Sequence, residues 1–160
     1  MNRIYLLLGS NMGDSRMQLS IAIKNIFDEI GEVVGSSALY STQAWGNTDQ
    51  PDFLNQVVIV ETKLSAQQVL STILKIEGLM GRVRTIKNAP RVIDIDILFF
   101  NEEIIHQTNL TVPHPEIENR RFVLVPLNQL SPDLLHPVSK MNMHTLLLNC
   151  PDMLEVKEVL

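Results

Sequence analysis

The stretch "APRVIDIDILFF", residues 89–100, sets two acidic residues, Asp94 and Asp96, inside a run of isoleucines and phenylalanines. On a strand, residues two apart point to the same face, roughly 6.5 Å apart along the chain. On a helix they would diverge by about 200° and could not share a ligand. The alternation of Ile93, Ile95 and Ile97 favours the strand. Two carboxylates side by side repel unless a cation or a shared proton relieves them, and Mg²⁺ takes one or two carboxylates together with substrate phosphates. A bare Asp-x-Asp also suits two side chains facing water on the open side of a sheet. The neighbourhood favours the metal, because six of the 13 basic residues (Arg82, Arg84, Lys87, Arg91, Arg120 and Arg121) fall between positions 82 and 121. A local basic cluster in a chain of net charge −5 points to a small anionic ligand and away from a nucleic-acid-binding surface.

Other constellations carry less. "GSNMGD" at 9–14 lacks the Gly-Lys-Ser/Thr of a phosphate loop and the third glycine of the dinucleotide fingerprint, so it reads as a turn after a strand. The histidines at 106, 114, 136 and 144 have no metal-ligand spacing, and the lone Cys150 can form no internal disulfide. No serine sits in a Gly-x-Ser-x-Gly elbow. "DQPDFLN" (49–55) and "VPHPEIENRRF" (112–122) each place an aromatic beside amide or charged groups. Phe53 and Phe122 read singly as core residues. Together they could sandwich a flat heteroaromatic ligand while Asn55 reads its hydrogen-bonding edge.

The elements that must position these residues follow from periodicity. A buried strand over Ile4–Leu8 ends at Gly9-Ser10-Asn11. Asp14 or Ser15 caps a helix with Leu19, Ala22, Ile23, Ile26, Phe27 and Ile30 on its apolar face, stopped by Gly31. Glu32–Tyr40 reads as one strand, and "FLNQVVIVETKL" (53–64) as the next. Ser65 caps a helix with Val69, Leu70, Ile73, Ile76 and Met80 on its apolar side. A basic loop, Gly81 to Arg91, has few apolar anchors and is expected to order only around phosphates. The strand Val92–Phe100 completes a β-α-β-β-α-β order, which predicts an α+β, ferredoxin-like core with an antiparallel sheet and helices on one face. A short hairpin near Ile104 and helices over Phe122–Leu130 and Met143–Leu148 are expected to follow. With 160 residues, 45% hydrophobic and 19% charged, the chain is expected to form a single domain over 1–160. No apolar run can span a bilayer and no signal peptide is evident, so a cytoplasmic monomer without membrane association is expected.

"KNAPRVIDIDIL" (87–98) resembles the signature of the 6-hydroxymethyl-7,8-dihydropterin pyrophosphokinase family: a basic residue, Ala-Pro-Arg, two apolar positions and Asp-x-Asp. The similarity continues through "GSN" (9–11), "DQPDFLN", "GRVR" (81–84), and "LTVPH" with "NRRF" between 110 and 122. The resemblance implies a ferredoxin-like enzyme that transfers the diphosphoryl group of ATP to the hydroxymethyl oxygen of the pterin and releases AMP, in folate biosynthesis. It implies two Mg²⁺ ions on Asp94 and Asp96, and a pterin between Phe53 and Phe122 with Asn55, Thr42 and Trp45 nearby. It further implies Arg82 and Arg91 against the transferring phosphates, with Asp96 as proton acceptor. Glu77, Arg84, Lys87, Thr111, His114 and Arg120 would lie along the nucleotide and phosphate path. Some positions depart from the family pattern. Asn88-Ala89 replaces a common Trp-Gly, Trp45 stands where an aliphatic is common, and Leu74 replaces a frequent glutamine.

Two rival readings lose ground on the same residues. A nucleotidyltransferase also joins a Gly-Ser turn to Asp-x-Asp, but there the two elements lie about ten to fifteen residues apart, whereas most of the chain separates Gly9 from Asp94. A non-catalytic ferredoxin-like regulatory module has no need of Arg82, Arg91, Asp94 and Asp96 together.

Overall fold

A computed structural model describes residues 1–43, 51–81 and 91–160. Trp45, Arg82, Arg84, Lys87 and the interior of the basic loop lie outside the described residues, and so does the expectation that this loop orders around phosphates. The strand β1 (Asn2–Ser10) leads to helix α1 (Ser15–Glu29), then β2 (Gly31–Ser36), β3 (Leu39–Thr42) and β4 (Phe53–Thr62). Helix α2 (Ala66–Leu79) is followed by β5 (Asp94–Phe100), the hairpin β6 (Ile105–Gln107) and β7 (Leu110–Val112), helices α3 (Arg121–Leu130) and α4 (Met143–Leu148), and β8 (Lys157–Val159). The main sheet runs β5-β1-β4-β3-β8, with β2 also on β4, and every pairing is antiparallel.

Local chemistry explains the helix starts. Asp14 caps α1, its carboxylate accepting from the Met17 amide at 3.1 Å. Ser65 and Gln68 form a reciprocal capping box on α2, which satisfies two amides that the helix itself cannot. Phe27 was expected on the apolar face of α1 but is 61% exposed. It lies about 100° round the helix from the buried Ile26 and so falls outside the stripe. The single strand expected over Glu32–Tyr40 is two. At the break, Ser37 puts its hydroxyl in the ladder, where it accepts from the Val57 amide at 3.0 Å.

The two helices of the β-α-β-β-α-β core cover one face of the sheet, as expected, and the C-terminal helices α3 and α4 cover the other. Ile4, Leu6 and Leu8 face α1 and α2, joined by Val58, Val60, Ile95 and Ile97. Tyr5 and Leu7 face α3 and α4, with Val57, Ile59, Leu98 and Phe99. This two-sided burial is why β1 reads as an unbroken apolar run. Each fully buried leucine or isoleucine there is worth about 1.5–3 kcal/mol. The strand β8 was not foreseen; it extends the sheet beyond β3.

Beneath the second core, His136 is 7% exposed, and its Nδ1 accepts from the amides of Val138 at 3.2 Å and Ser139 at 3.4 Å. Its ring stands edge-on to Phe99. Burial lowers its pKa against the smaller opposing pull of Glu118. The unfolded chain therefore binds this proton more tightly, so stability is full above the ordinary histidine value of 6.5 and is lost as the pH falls through the lower folded value. His114 shifts in the same direction. Melting measured at pH 7.5 and 5.5 should show a drop on acidification that is smaller in His136→Asn, whose side-chain oxygen can still accept from the turn. An equal drop in both proteins would remove His136 from this account.

Candidate active site

The site is set by the register of three strands. Gly9 pairs with Asn55 of β4 on one side and with Asp94 of β5 on the other. Partners in such pairs present side chains to the same face, so Asp94, Gly9 and Asn55 form one row. Adjacent strands lie about 4.8 Å apart, which spaces the backbones of Asp94 and Asn55 by about 10 Å. One row further in, Asp96 pairs with Leu7, and Leu7 pairs with Val57. Leu7 and Val57 belong to the core under α3 and α4, so the Asp94 row begins where that cover ends.

Gly9 leaves the middle of the row without a side chain. A Cβ there would stand 2.7 Å from Asn55 Oδ1 and 3.7 Å from Phe53 Cδ1. The Asn55 carboxamide lies in this space, 4% exposed, and its Nδ2 donates to Thr42 Oγ1 at 3.2 Å. Thr42 pairs with Phe53, which is half-buried at the start of β4. Thr42, Phe53 and Asn55 thus come together on neighbouring strands. Phe122, in the first turn of α3, packs against the α3–α4 core, with the Arg120 guanidinium 5.9 Å from its ring centre.

On the acidic side, Asp94 is held by Arg91, whose guanidinium donates to its carboxylate at 3.0 Å. Glu77, 1% exposed on α2, accepts from the Ile95 amide at 2.8 Å. At least one of its oxygens is therefore committed to the backbone of β5, fixing the strand that carries both aspartates. His114 donates its amide to Leu98 of β5, and its Nδ1 accepts from the Glu116 amide at 3.1 Å. That bond leaves the ring proton on Nε2. Burial first, then Arg120, hold the imidazole below its ordinary pKa, against weaker pulls from Glu116 and Asp94. Arg120 pairs with Glu116 at 3.8 Å. Thr111 stands apart, exposed on β7 opposite His106, and Leu74 is 47% exposed on α2.

Sequence reasoning read Asn11 as part of a turn. In the structure it is a buried junction: Oδ1 accepts from the Arg91 amide at 2.7 Å and Nδ2 donates to the Pro51 carbonyl at 3.2 Å. An asparagine directly after a buried strand was the available signal.

Fold and site together define a ferredoxin-like α+β protein with paired carboxylates and an amide–aromatic recess at one end of its sheet. A family profile described as 7,8-dihydro-6-hydroxymethylpterin-pyrophosphokinase (HPPK) matches residues 5–132. The chain is 43% identical over 136 residues to the 2-amino-4-hydroxy-6-hydroxymethyldihydropteridine pyrophosphokinase of Methylorubrum extorquens, covering 84% of this chain and 86% of that one. It is 41% identical over 138 residues to the enzyme of the same name from Aquifex aeolicus, covering 86% of each. A crystal structure of Plasmodium falciparum HPPK-DHPS superposes with a TM-score of 0.77 at 20% identity, over 93% of this chain and 43% of that longer one. The chain belongs to the HPPK family. It is a pyrophosphokinase that moves the pyrophosphoryl group of ATP to hydroxymethyldihydropterin, a step of folate biosynthesis.

Gly9→Ala tests the recess. Its methyl group must displace the Asn55 amide; if that amide reads the pterin edge, as the resemblance implies, pterin affinity should fall about tenfold, the worth of one good hydrogen bond. Nucleotide affinity should hold. Calorimetry with each ligand decides, and unchanged pterin affinity would mean the Asn55 amide does not read the ring.

Proposed function

We propose that the two substrates meet over the Asp94–Gly9–Asn55 row, with the pterin at its β4 end and the phosphates of ATP at its β5 end. The observation that carries this reading is the register itself, which sets an amide and an acidic pair on one face, with Gly9 between them giving its side-chain space to the Asn55 carboxamide. The pterin would lie between Phe53 and Phe122, with Asn55 and Thr42 at its edge and Trp45 nearby. Both aromatic residues lie on the α3 side of the sheet, which supports that placement.

Asp94 and Asp96 suit Mg²⁺. They are hard oxygen donors on one face of one strand, and in this structure the Arg91 guanidinium already supplies a positive charge to one of them. Mg²⁺ needs only one or two carboxylates from the protein, since it completes its shell with phosphate and water. Two ions are proposed from the resemblance; when bound they neutralise charge on the phosphate oxygens.

The chain's own groups do the rest. The hydroxymethyl oxygen attacks the β-phosphorus, the bond from that phosphorus to the α–β bridging oxygen breaks, and AMP leaves. Asp96 receives the hydroxyl proton. Arg91, three residues before Asp94, exchanges carboxylate for phosphate oxygens and meets the charge that grows on them, an effect strongest for a planar guanidinium. Arg82 shares that role by resemblance, with Arg84 and Lys87 on the same path. His114, neutral and carrying its proton on Nε2, donates without adding charge, and Arg120 lies beside it. Glu77 keeps β5 in place, and Thr111 is the outermost of the nucleotide contacts. The reaction would run within 1–160 as one domain, a cytoplasmic monomer.

Asp94→Asn and Asp96→Asn should each keep the fold and lower turnover by about 10²-fold or more, since several kcal/mol of charge neutralisation goes with the metal. AMP formation gives the rate, and titration with Mg²⁺ and a non-hydrolysable ATP analogue gives metal-dependent binding, which should weaken in both. Near-normal Mg²⁺-dependent turnover in either variant would sink the metal assignment.

A further inference from the structure

Asn11 follows the last residue of β1 and is 2% exposed. Its carboxamide joins two pieces of chain that are remote in sequence. Oδ1 accepts from the amide of Arg91, eighty positions away, and Nδ2 donates to the carbonyl of Pro51, forty positions away. The Asn11 amide also donates to the Arg91 carbonyl at 3.1 Å, so Arg91 is gripped by its backbone on both sides. Pro51 precedes Phe53 by two residues, and Arg91 precedes Asp94 by three. The bridge therefore ties the chain entering the pterin side of the site to the chain entering the phosphate side.

The chemistry at this position is demanding. One planar group must accept at one end and donate at the other, because Pro51 offers only a carbonyl and Arg91 presents its N–H. Aspartate retains the acceptor but sets a negative charge against the Pro51 carbonyl, and serine is too short to span both. In water-excluded surroundings each lost partner also leaves a buried polar group unmet.

The geometry points to Asn11 as a positioning residue for the transfer step. It fixes the Arg91 backbone so that the guanidinium reaches the Asp94 carboxylate and, under the function proposed above, the phosphates. It touches neither substrate on this reading and acts through Arg91. Misplacing a reacting group by about 1 Å costs on the order of 10²-fold in rate.

The test is a double-mutant cycle between Asn11→Ala and Arg91→Ala, read in single-turnover rate and in ligand dissociation constants. Asn11→Ala alone should slow the chemical step by about 10²-fold, with dissociation constants for the ATP analogue and the pterin changed only a few-fold. In the Arg91→Ala background the same change should cost less than about threefold, because the group it positions is gone. Hydrogen exchange at the Arg91 amide should quicken in Asn11→Ala while the amides of β4 stay protected. If Asn11→Ala does not fold, Asn11→Asp, which keeps the acceptor for Arg91, takes its place in the cycle with a smaller expected loss.

Equal cost in both backgrounds would overturn the proposal and make Asn11 a purely structural residue. So would affinity losses in proportion to rate. Failure of the site reading itself gives a different result: there Asp94→Asn would retain turnover, whatever Asn11 does.

Discussion

Strand β1 has neither a free edge nor a free face along Ile4–Leu8. Its backbone is bonded to β4 on one side and β5 on the other, and its side chains enter two separate cores. Buried backbone groups must find partners, so the position of β1 sets the register of its neighbours. A slip by one residue would send Tyr5 and Leu7 into the core reserved for Ile4, Leu6 and Leu8. The pairing that this burial locks in is the same pairing that sets Asp94 beside Gly9 beside Asn55.

The site then follows from where burial stops. Leu7 and Val57 lie under α3 and α4; one row outward the side chains change to Asp94, nothing, and Asn55. The change is abrupt because the strand alternates, so that a single glycine opens one position without disturbing Leu8 or Ser10 on the other face. Glu77 serves the same end from behind the sheet. A buried carboxylate on the Ile95 amide holds β5, which among the described residues is an edge strand of the main sheet.

Much of this was legible in the chain. The two helices, their caps and the strands flanking them follow from periodicity, because each buries one stripe or face. Asp94 and Asp96 stood out because charge inside an apolar alternation needs a partner. What stayed hidden was non-local. The break at Ser37 depends on a hydroxyl facing Val57, twenty residues on, and the three-residue β8 has too few side chains to carry a pattern. Phe27 sits one step beyond the stripe, a difference that only the packed helix resolves. Asn11 read as a turn residue because its partners, Pro51 and Arg91, are distant in sequence and met through backbone atoms, which leave no signature in residue type.

The charges of the site are held in pairs that can be exchanged. Arg91 rests on Asp94 and Arg120 near Glu116, with side chains between 22% and 43% exposed. Solvent reaches both pairs and screens their attraction. A doubly bonded guanidinium facing phosphate oxygens gains more than it leaves behind. His114 completes the logic from the other direction. Burial and Arg120 hold its pKa below the ordinary histidine value, and the Glu116 amide fixes which nitrogen of the neutral ring bears the proton. On the function proposed above, its Nε2 proton would be offered to a phosphate oxygen beside the arginines. The rigid parts, Gly9, Asn55, Glu77 and the β-ladder, carry the geometry, while on the function proposed above the paired charges supply what rearranges around phosphate.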